Sequence, residues 1–364
     1  MNRFARWVVK HRIVVVIICL ALMIPSVLGM VSTRVKYDLL YYLPEDLDTI
    51  KGQNILMEDF GKGAFSLCIT EGLNEVEQSD LEETIRQIPH VDTVIGYASA
   101  LNGSIPSAIL PDDLRERFEN GEDRIFAVFF DETSSAEGTM EAIADIRKAA
   151  GEKCFVSGLS AVVTDTKELV EEQEGIYVAI AVALCCIVLM LTMDSFLLPL
   201  IFLCCIGVSI LWNMGSNYFM GEISYITKAV AAVLQLAVTL DYSIFLWHSY
   251  KEQKSLCSDR DEAMTAAIVQ TFSSIIGSSL TTVAGFMSFT LGRDLGVVMS
   301  KGVILGVLGT ITLLPCVIRM MDGLITKTSH KPLLPSVANI SRLVVKHYKA
   351  LCVLAVVLCI PAFY

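Results

Sequence analysis

The feature that most constrains this chain is a series of apolar runs near residues 13–31, 176–193, 196–214, 224–248, 268–291, 295–318 and 350–364. A membrane-crossing helix needs about 20 apolar residues, and all but the last run approach or exceed that length. The final run covers 15 residues to Tyr364. With 54% hydrophobic and only 18% charged residues, the chain reads as a polytopic α-helical membrane protein with six spans and the start of a seventh. The first run follows Arg3, Arg6, Lys10 and Arg12. It is too long for the apolar core of a signal peptide and lacks a small-residue cleavage site, so it reads as a signal anchor.

Charge divides the chain unevenly. Residues 32–175 hold 30 of the 39 acidic and 12 of the 28 basic side chains, a net charge of −18, while the remainder is net basic. Lys and Arg mark cytoplasmic loops. Placing the amino-terminal tail, the stretch with Lys251, Lys254 and Arg260, and the stretch from Arg319 to Lys349 inside makes every connection alternate. This predicts a multi-pass protein of a bacterial cell membrane, with a cytoplasmic amino terminus and residues 32–175 outside. No basic patch for nucleic acid is present. No Ser-His-Asp, metal or phosphate-binding motif is legible, which argues against an enzyme and predicts no cofactor. Eight of the eleven cysteines lie in apolar runs, where small apolar packing is the ordinary role.

The outer segment divides into alternating elements. FSLCIT (65–70), VDTVIGY (91–97), RIFAVFF (124–130) and KCFVSGLS (153–160) read as strands, NEVEQSDLEETIRQI (74–88) and TMEAIADIRKAA (139–150) as helices. The order β-α-β, β-α-β is that of a ferredoxin-like α+β sandwich, interrupted by a polar insert at 98–123. In that fold the first and last strands are neighbours. Cys68 and Cys154 then come within reach, either as a disulfide or as two buried thiols.

The chain also repeats itself. RWVVKHRIVVVIICLALMIPS at the start and RLVVKHYKALCVLAVVLCIPA at the end align without gaps at an offset of 336, matching Val8–His11 with Val344–His347 and Pro25 with Pro361. Internal repeats of this size are a known transporter plan. The domains expected are a first span (1–31), an extracytoplasmic domain (32–175), spans two to six (176–318), a cytoplasmic linker (319–349) and the opening of a second repeat (350–364). The polypeptide is accordingly expected to continue for roughly another 336 residues.

Within the fourth span, LQLAVTLDYSIFLW carries Asp241 and Tyr242. A charge at a span's centre costs about 2.5–3.5 kcal/mol on insertion scales. Asp241 lies about 10 Å of helix from His248 at the inner end, beyond the reach of a short carboxylate. A carboxylate there suits the uptake and release of protons as its surroundings alternate between wet and dry, and Tyr242 can donate to it. The fifth span carries Ser273, Ser274, Ser278, Ser279, Thr281 and Thr282, with Gly277 and Gly285 for close helix approach. Of these, Ser274, Ser278, Thr281 and Thr282 are candidates for the surroundings of the relay, with helix packing as the alternative role. Lys301 lies near the outer end of the sixth span and is expected to extend outward rather than pair with Asp241.

The plan of one span, a large outer loop and five spans followed by a repeat resembles the resistance–nodulation–division (RND) superfamily. TLDYSIFLWHSY (239–250), SSLTTVAGFMSF (278–289) and RDLGVVMSKGVILGVLGTITLLPCVI (293–318) are similar to its fourth, fifth and sixth spans. The Asp-Tyr pair and the compact outer domain point to the MMPL (mycobacterial membrane protein large) branch. The resemblance implies proton-driven export of hydrophobic, lipid-like or amphiphilic molecules, with protons as the coupling ion, a porter-like outer domain and Asp241–Tyr242 at the proton-relay positions. Implied partners are membrane lipids, the cargo, and a second repeat of the same polypeptide bearing its own Asp-Tyr pair. A sterol-sensing-type lipid sensor and a protein-export accessory subunit are alternatives within the same superfamily.

Overall fold

A computed structural model describes residues 1–37, 46–59, 63–96, 119–120, 123–289, 292–330 and 344–359. Most of the polar insert at 98–123 lies outside these. Among the described residues, six helical segments are long and apolar enough to cross a membrane: Arg12–Ser32, Leu159–Thr192, Leu197–Met220, Tyr225–Leu256, Arg260–Met287 and Arg293–Lys327. They correspond to the six expected spans and establish a polytopic helical membrane protein. The shorter apolar helix Tyr348–Cys359 follows.

The third and sixth spans are the most enclosed, while the first and second present apolar side chains outward. That outward face suits lipid, because lipid tails solvate Leu and Ile as well as protein does. Helices in such a setting are held by close approach and polar contacts, and both occur here. Gly29 of the first span meets Gly215 of the third so closely that a Cβ on Gly215 would lie 2.2 Å from the Ser26 carbonyl oxygen. On the sixth span, Gly302, Gly306 and Gly309 face Asn213, Gln235, Thr239 and Ser209 of the third and fourth spans.

Ionic contacts tie the ends predicted to be cytoplasmic. Asp322, 1% exposed, accepts from Lys254 at 2.7 Å and Arg260 at 2.5 Å, and from the Tyr250 hydroxyl at 3.2 Å. Asp261 receives Arg12 at 3.1 Å and also Arg319. Asp194, between the second and third spans, pairs with Lys251 at 2.5 Å and accepts from the Trp247 indole at 3.3 Å. Burial works to raise the Asp194 pKa, but the Lys251 and Trp247 donors outweigh it and hold it below the ordinary aspartate range.

The segment between the first and second spans contains a sheet built from residues whose side chains alternate. Its strands are β2 (Ala64–Glu71), β3 (Val91–Ile95), β5 (Asp123–Phe130) and β6 (Cys154–Ser157), with the short β4 (Glu119–Asn120) on β5. The order is β3-β5-β2-β6 with antiparallel pairing throughout, the order of a split β-α-β sandwich. Helices Glu75–Arg86 and Glu137–Ala150 accompany it. The first starts at a capping box in which the Asn74 side chain accepts from Glu77 N–H and the Glu77 carboxylate accepts from Asn74 N–H. The core gathers Ile85, Val94, Phe126, Val128, Phe130, Ile143 and Ile146. On the other face Phe65, Leu67, Ile69 and Phe155 are exposed.

Cys68 and Cys154 sit diagonally on neighbouring strands, as the expected topology requires, and remain two buried free thiols. The contact between them raises the pKa of Cys68 as donor and lowers that of Cys154 as acceptor.

The second-span helix differs from the sequence-based boundary at 175. It begins at Leu159, directly after β6, and continues unbroken to Thr192. Its polar first half, TDTKELVEEQEG, is good helix-forming sequence, so nothing stops the helix where the apolar run starts. Its 34 residues make a strut of about 50 Å. A second junction is the parallel pair β1 (Arg34–Lys36) with β7 (Glu222–Ser224), which ties the exit of the first span to the entry of the fourth. Ser224 caps the fourth-span helix by accepting from Thr227 N–H at 3.1 Å. Asp294 of the sixth span accepts from Ser224 N–H at 2.9 Å and the Thr227 hydroxyl at 2.7 Å.

Candidate functional site

Asp241 lies at position 17 of the 32-residue fourth-span helix. Helical spacing separates it from Tyr242 by about 100°, and the two side chains meet different surroundings. Asp241 is exposed on the flank of the bundle. Tyr242 turns inward, 6% exposed, to pack with Ile275 of the fifth span and Val307 of the sixth. Its hydroxyl has no hydrogen-bond partner among the described residues.

Both residues line one cavity of about 390 Å³ with Val238, Phe245, Ser274, Ile275, Ser278 and Thr282. The fifth span reaches it at 274, 278 and 282, one turn apart, so its hydroxyls make a ladder along a single face. Of the four fifth-span candidates, Ser274, Ser278 and Thr282 border this cavity. Thr281 does not; it is exposed and donates to the Ser278 carbonyl at 2.8 Å. Thr282 donates to that carbonyl too, at 3.0 Å. Gly277 and Gly285, expected to admit a neighbouring backbone, have no atom within 4 Å of an added Cβ. Asp241, Ser274, Gly277, Ser278 and Thr281 thus share a flank that the described residues do not cover. Lys301 does not approach Asp241: it extends outward and donates to Asn217 Oδ1 at 2.5 Å.

A larger cavity, about 1170 Å³, lies where the sheet domain meets the bundle. Apolar Val178, Ile210, Leu211, Met214, Ile223 and Ala232 line its membrane side, and Lys36, Lys167, Glu171, Glu174, Glu222 and Lys228 its polar side. Two ion pairs line it, Lys228–Glu174 at 3.5 Å and Lys36–Glu222 at 3.6 Å. Tyr37 donates to Glu171 at 2.9 Å, and burial followed by that contact raises the tyrosine's pKa. Sequence reasoning missed this cavity, since its walls come from five separated segments. It also missed the buried polar contact in which the Asn213 amide donates to Gln235 Oε1 at 2.9 Å between the third and fourth spans.

With this geometry in view, the chain was compared with known proteins. A family profile described as "MMPL family" matches residues 119–331. A membrane protein of Methanocaldococcus jannaschii is 23% identical over 80% of this chain and 86% of its own length. The siderophore exporter MmpL5 of Mycobacterium tuberculosis is 27% identical over 50% of this chain and 20% of its own length. Membrane protein YdfJ of Bacillus subtilis is 21% identical over 89% of this chain and 45% of its own length. The chain therefore spans most of the archaeal relative but less than half of the mycobacterial and Bacillus ones.

Proposed function

This chain belongs to the MMPL family, a family of membrane transporters, and on that premise we propose that it drives export of hydrophobic or amphiphilic molecules with the proton gradient. The observation that carries the reading is Asp241, a mid-span carboxylate at the mouth of a cavity bordered by Tyr242 and the Ser274–Ser278–Thr282 ladder. A proton crossing 100 mV yields about 2.3 kcal/mol, and each pH unit adds about 1.36 kcal/mol. That is enough to bias two packings of a helix bundle, provided protonation of Asp241 changes its solvation cost between them.

The cavity beneath the sheet domain, apolar on the membrane side and charged above, suits an amphiphile with its tail toward the bundle. The sheet domain is then extracytoplasmic and porter-like, and the basic ends near Lys251, Arg260 and Arg319 face the cytoplasm. MmpL5 is named for siderophore export, and an amphiphilic metal-chelating cargo is one instance of this substrate class. The uncovered flank with Asp241, Gly277 and Gly285 fits a second repeat of the same polypeptide, which would bring its own carboxylate against this one and remove both from lipid.

The test is Asp241→Asn in the full chain reconstituted in vesicles with an imposed pH gradient, following efflux of a fluorescent amphiphile. Gradient-driven efflux should be lost while binding of the amphiphile persists. Efflux at the wild-type rate with the neutral residue would exclude the relay.

A further inference from the structure

The two cavities lie on one fourth-span helix, and buried polar atoms without partners occupy the interval between them. Gln235, Thr239 and Tyr242 follow at one-turn intervals along the helix face turned into the bundle, 0%, 1% and 6% exposed. Gln235 Nε2, Thr239 Oγ1, Tyr242 Oη and, across the interface, Asn213 Oδ1 have no hydrogen-bond partner among the described residues. An unsatisfied polar group in a protein interior costs about 1–3 kcal/mol. Four in a row at membrane depth are too many to be incidental, and water is the usual means of satisfying them.

Both ends of this seam open onto cavities. At the outer end Asn217 borders the 1170 Å³ cavity and receives Lys301. One helical turn deeper on the third span, Asn213 donates to Gln235. At the inner end Tyr242 borders the 390 Å³ cavity beside Asp241. The sixth span presents Gly302 and Gly306 along the way. A Cβ there would lie 2.6 Å from Asn213 Nδ2 and 2.4 Å from Thr239 Oγ1, respectively, so any larger residue would crowd the seam.

We propose that the seam between the third, fourth and sixth spans is the proton-entry path, a file of water molecules leading from the outer cavity through Gln235 and Thr239 to Tyr242. It rests on the reading of Asp241 as the proton carrier. In the transfer step the Tyr242 hydroxyl gives its proton to the Asp241 carboxylate through water in the cavity that both border. It takes one in turn from a hydronium ion delivered along the file on the Thr239 side, which becomes neutral water, so that one proton moves inward and both phenol and water are restored. Gln235 and Thr239 are positioning residues that hold the water. Of the residues lining the cavity around Asp241, Tyr242 is the one other titratable side chain. From the sixth span Lys301 reaches Asn217 at the outer end and the buried Asp294 accepts from Thr227, two turns before Gln235 on the fourth span, while the fifth span contributes hydroxyls to the Asp241 cavity.

The experiment uses the full chain in vesicles oriented with residues 32–175 protease-accessible. Outer and inner pH are set independently, and a hydrophobic carbodiimide, which modifies protonated carboxyl groups, is mapped to Asp241 by peptide mass spectrometry. In wild type, modification should rise about tenfold for each unit by which outer pH is lowered at fixed inner pH, until the group is fully protonated. In Thr239→Val, an isosteric change that removes the hydroxyl, and in Gln235→Met, that dependence on outer pH should disappear. Wild-type modification that follows inner pH alone, or variants that follow outer pH as wild type does, would overturn the path. Modification insensitive to pH on both sides would remove the carrier, and the path with it. Should the variants not fold, radiolytic hydroxyl labelling of the wild type decides. Ordered water predicts rapid oxidation of Tyr242 and Val307, and protection of both refutes it.

Discussion

Replacing Gly215 by Ala tests the packing logic of the bundle. The new methyl would lie 2.2 Å from Ser26 O, 2.4 Å from Ser26 Cα and 2.6 Å from Ser26 C. All three are backbone atoms, so no side chain can rotate away, and the first and third spans must separate by roughly 1 Å to reach ordinary contact. Overpacking costs about 1–3 kcal/mol, and a backbone-on-backbone clash belongs at the upper end. The helix gains about 1 kcal/mol when Gly becomes Ala, leaving a net loss of about 2 kcal/mol. Gly277→Ala is the same chemical change on the fifth span, where none of the described residues lies within 4 Å, and in the chain of residues 1–364 it should return only the propensity gain. The two variants should therefore differ by about 3 kcal/mol, or about 6 °C at roughly 2 °C per kcal/mol for a chain of this size. The assay is the temperature at which half of the purified protein leaves its monodisperse peak in detergent. Melting of Gly215→Ala within 2 °C of Gly277→Ala would show that the crossing is not held as described.

Other outcomes follow from the charged ends and the sheet. Asp322→Asn leaves Lys254 and Arg260 without their shared carboxylate, and should destabilise by about 2 kcal/mol; breaking a buried pair costs about 3–5 kcal/mol, reduced here because Arg260 is 51% exposed and can turn to water. The same melting assay checks it, and an unchanged midpoint contradicts it. Asp194 titrates below its ordinary value in the fold. The stability of wild type over Asp194→Asn should therefore be complete above pH ~4 and decline as pH falls through the lower folded value. A difference that instead shrinks as pH rises from 5 to 8 would reverse the sign. Cys154 should be alkylated ahead of Cys68, and Cys68→Ala should slow Cys154 by removing its hydrogen-bond donor. Equal rates measured by peptide mass spectrometry would count against that assignment.

The spans were legible because hydropathy alone decides what enters a bilayer. The sheet was legible because Ala64–Glu71 alternates buried and exposed along its whole length, and Asn74 with Glu77 announces a helix start. The start of the second-span helix at Leu159 was not, since the apolar run beginning near 176 masks the helix-forming polar stretch before it. Asp241 stood out as a charge in an apolar run, and its nearness to Ser274 and Ser278 followed from two consecutive spans packing together. Asn213 and Gln235 are single polar residues within separate apolar runs. Their meeting depends on the third and fourth spans lying side by side at matched depth, a tertiary fact with no local signature. Thr281 shares the composition of its neighbours but lies one residue off the 274–278–282 line that borders the cavity, which a composition argument does not resolve.

The β1–β7 pair deserves a mechanical reading. The fourth-span helix begins at Tyr225, immediately after β7, and β1 immediately follows the first span. Backbone hydrogen bonds between strands resist sliding, so a pull on the first span's exit is delivered as tension at the head of the helix that bears Asp241. Asp294 grips that head from the sixth span. A pull on the sheet domain can therefore strain the helix that bears Asp241 from some 25 Å away, making this three-residue clasp a mechanical link between that domain and the fourth span.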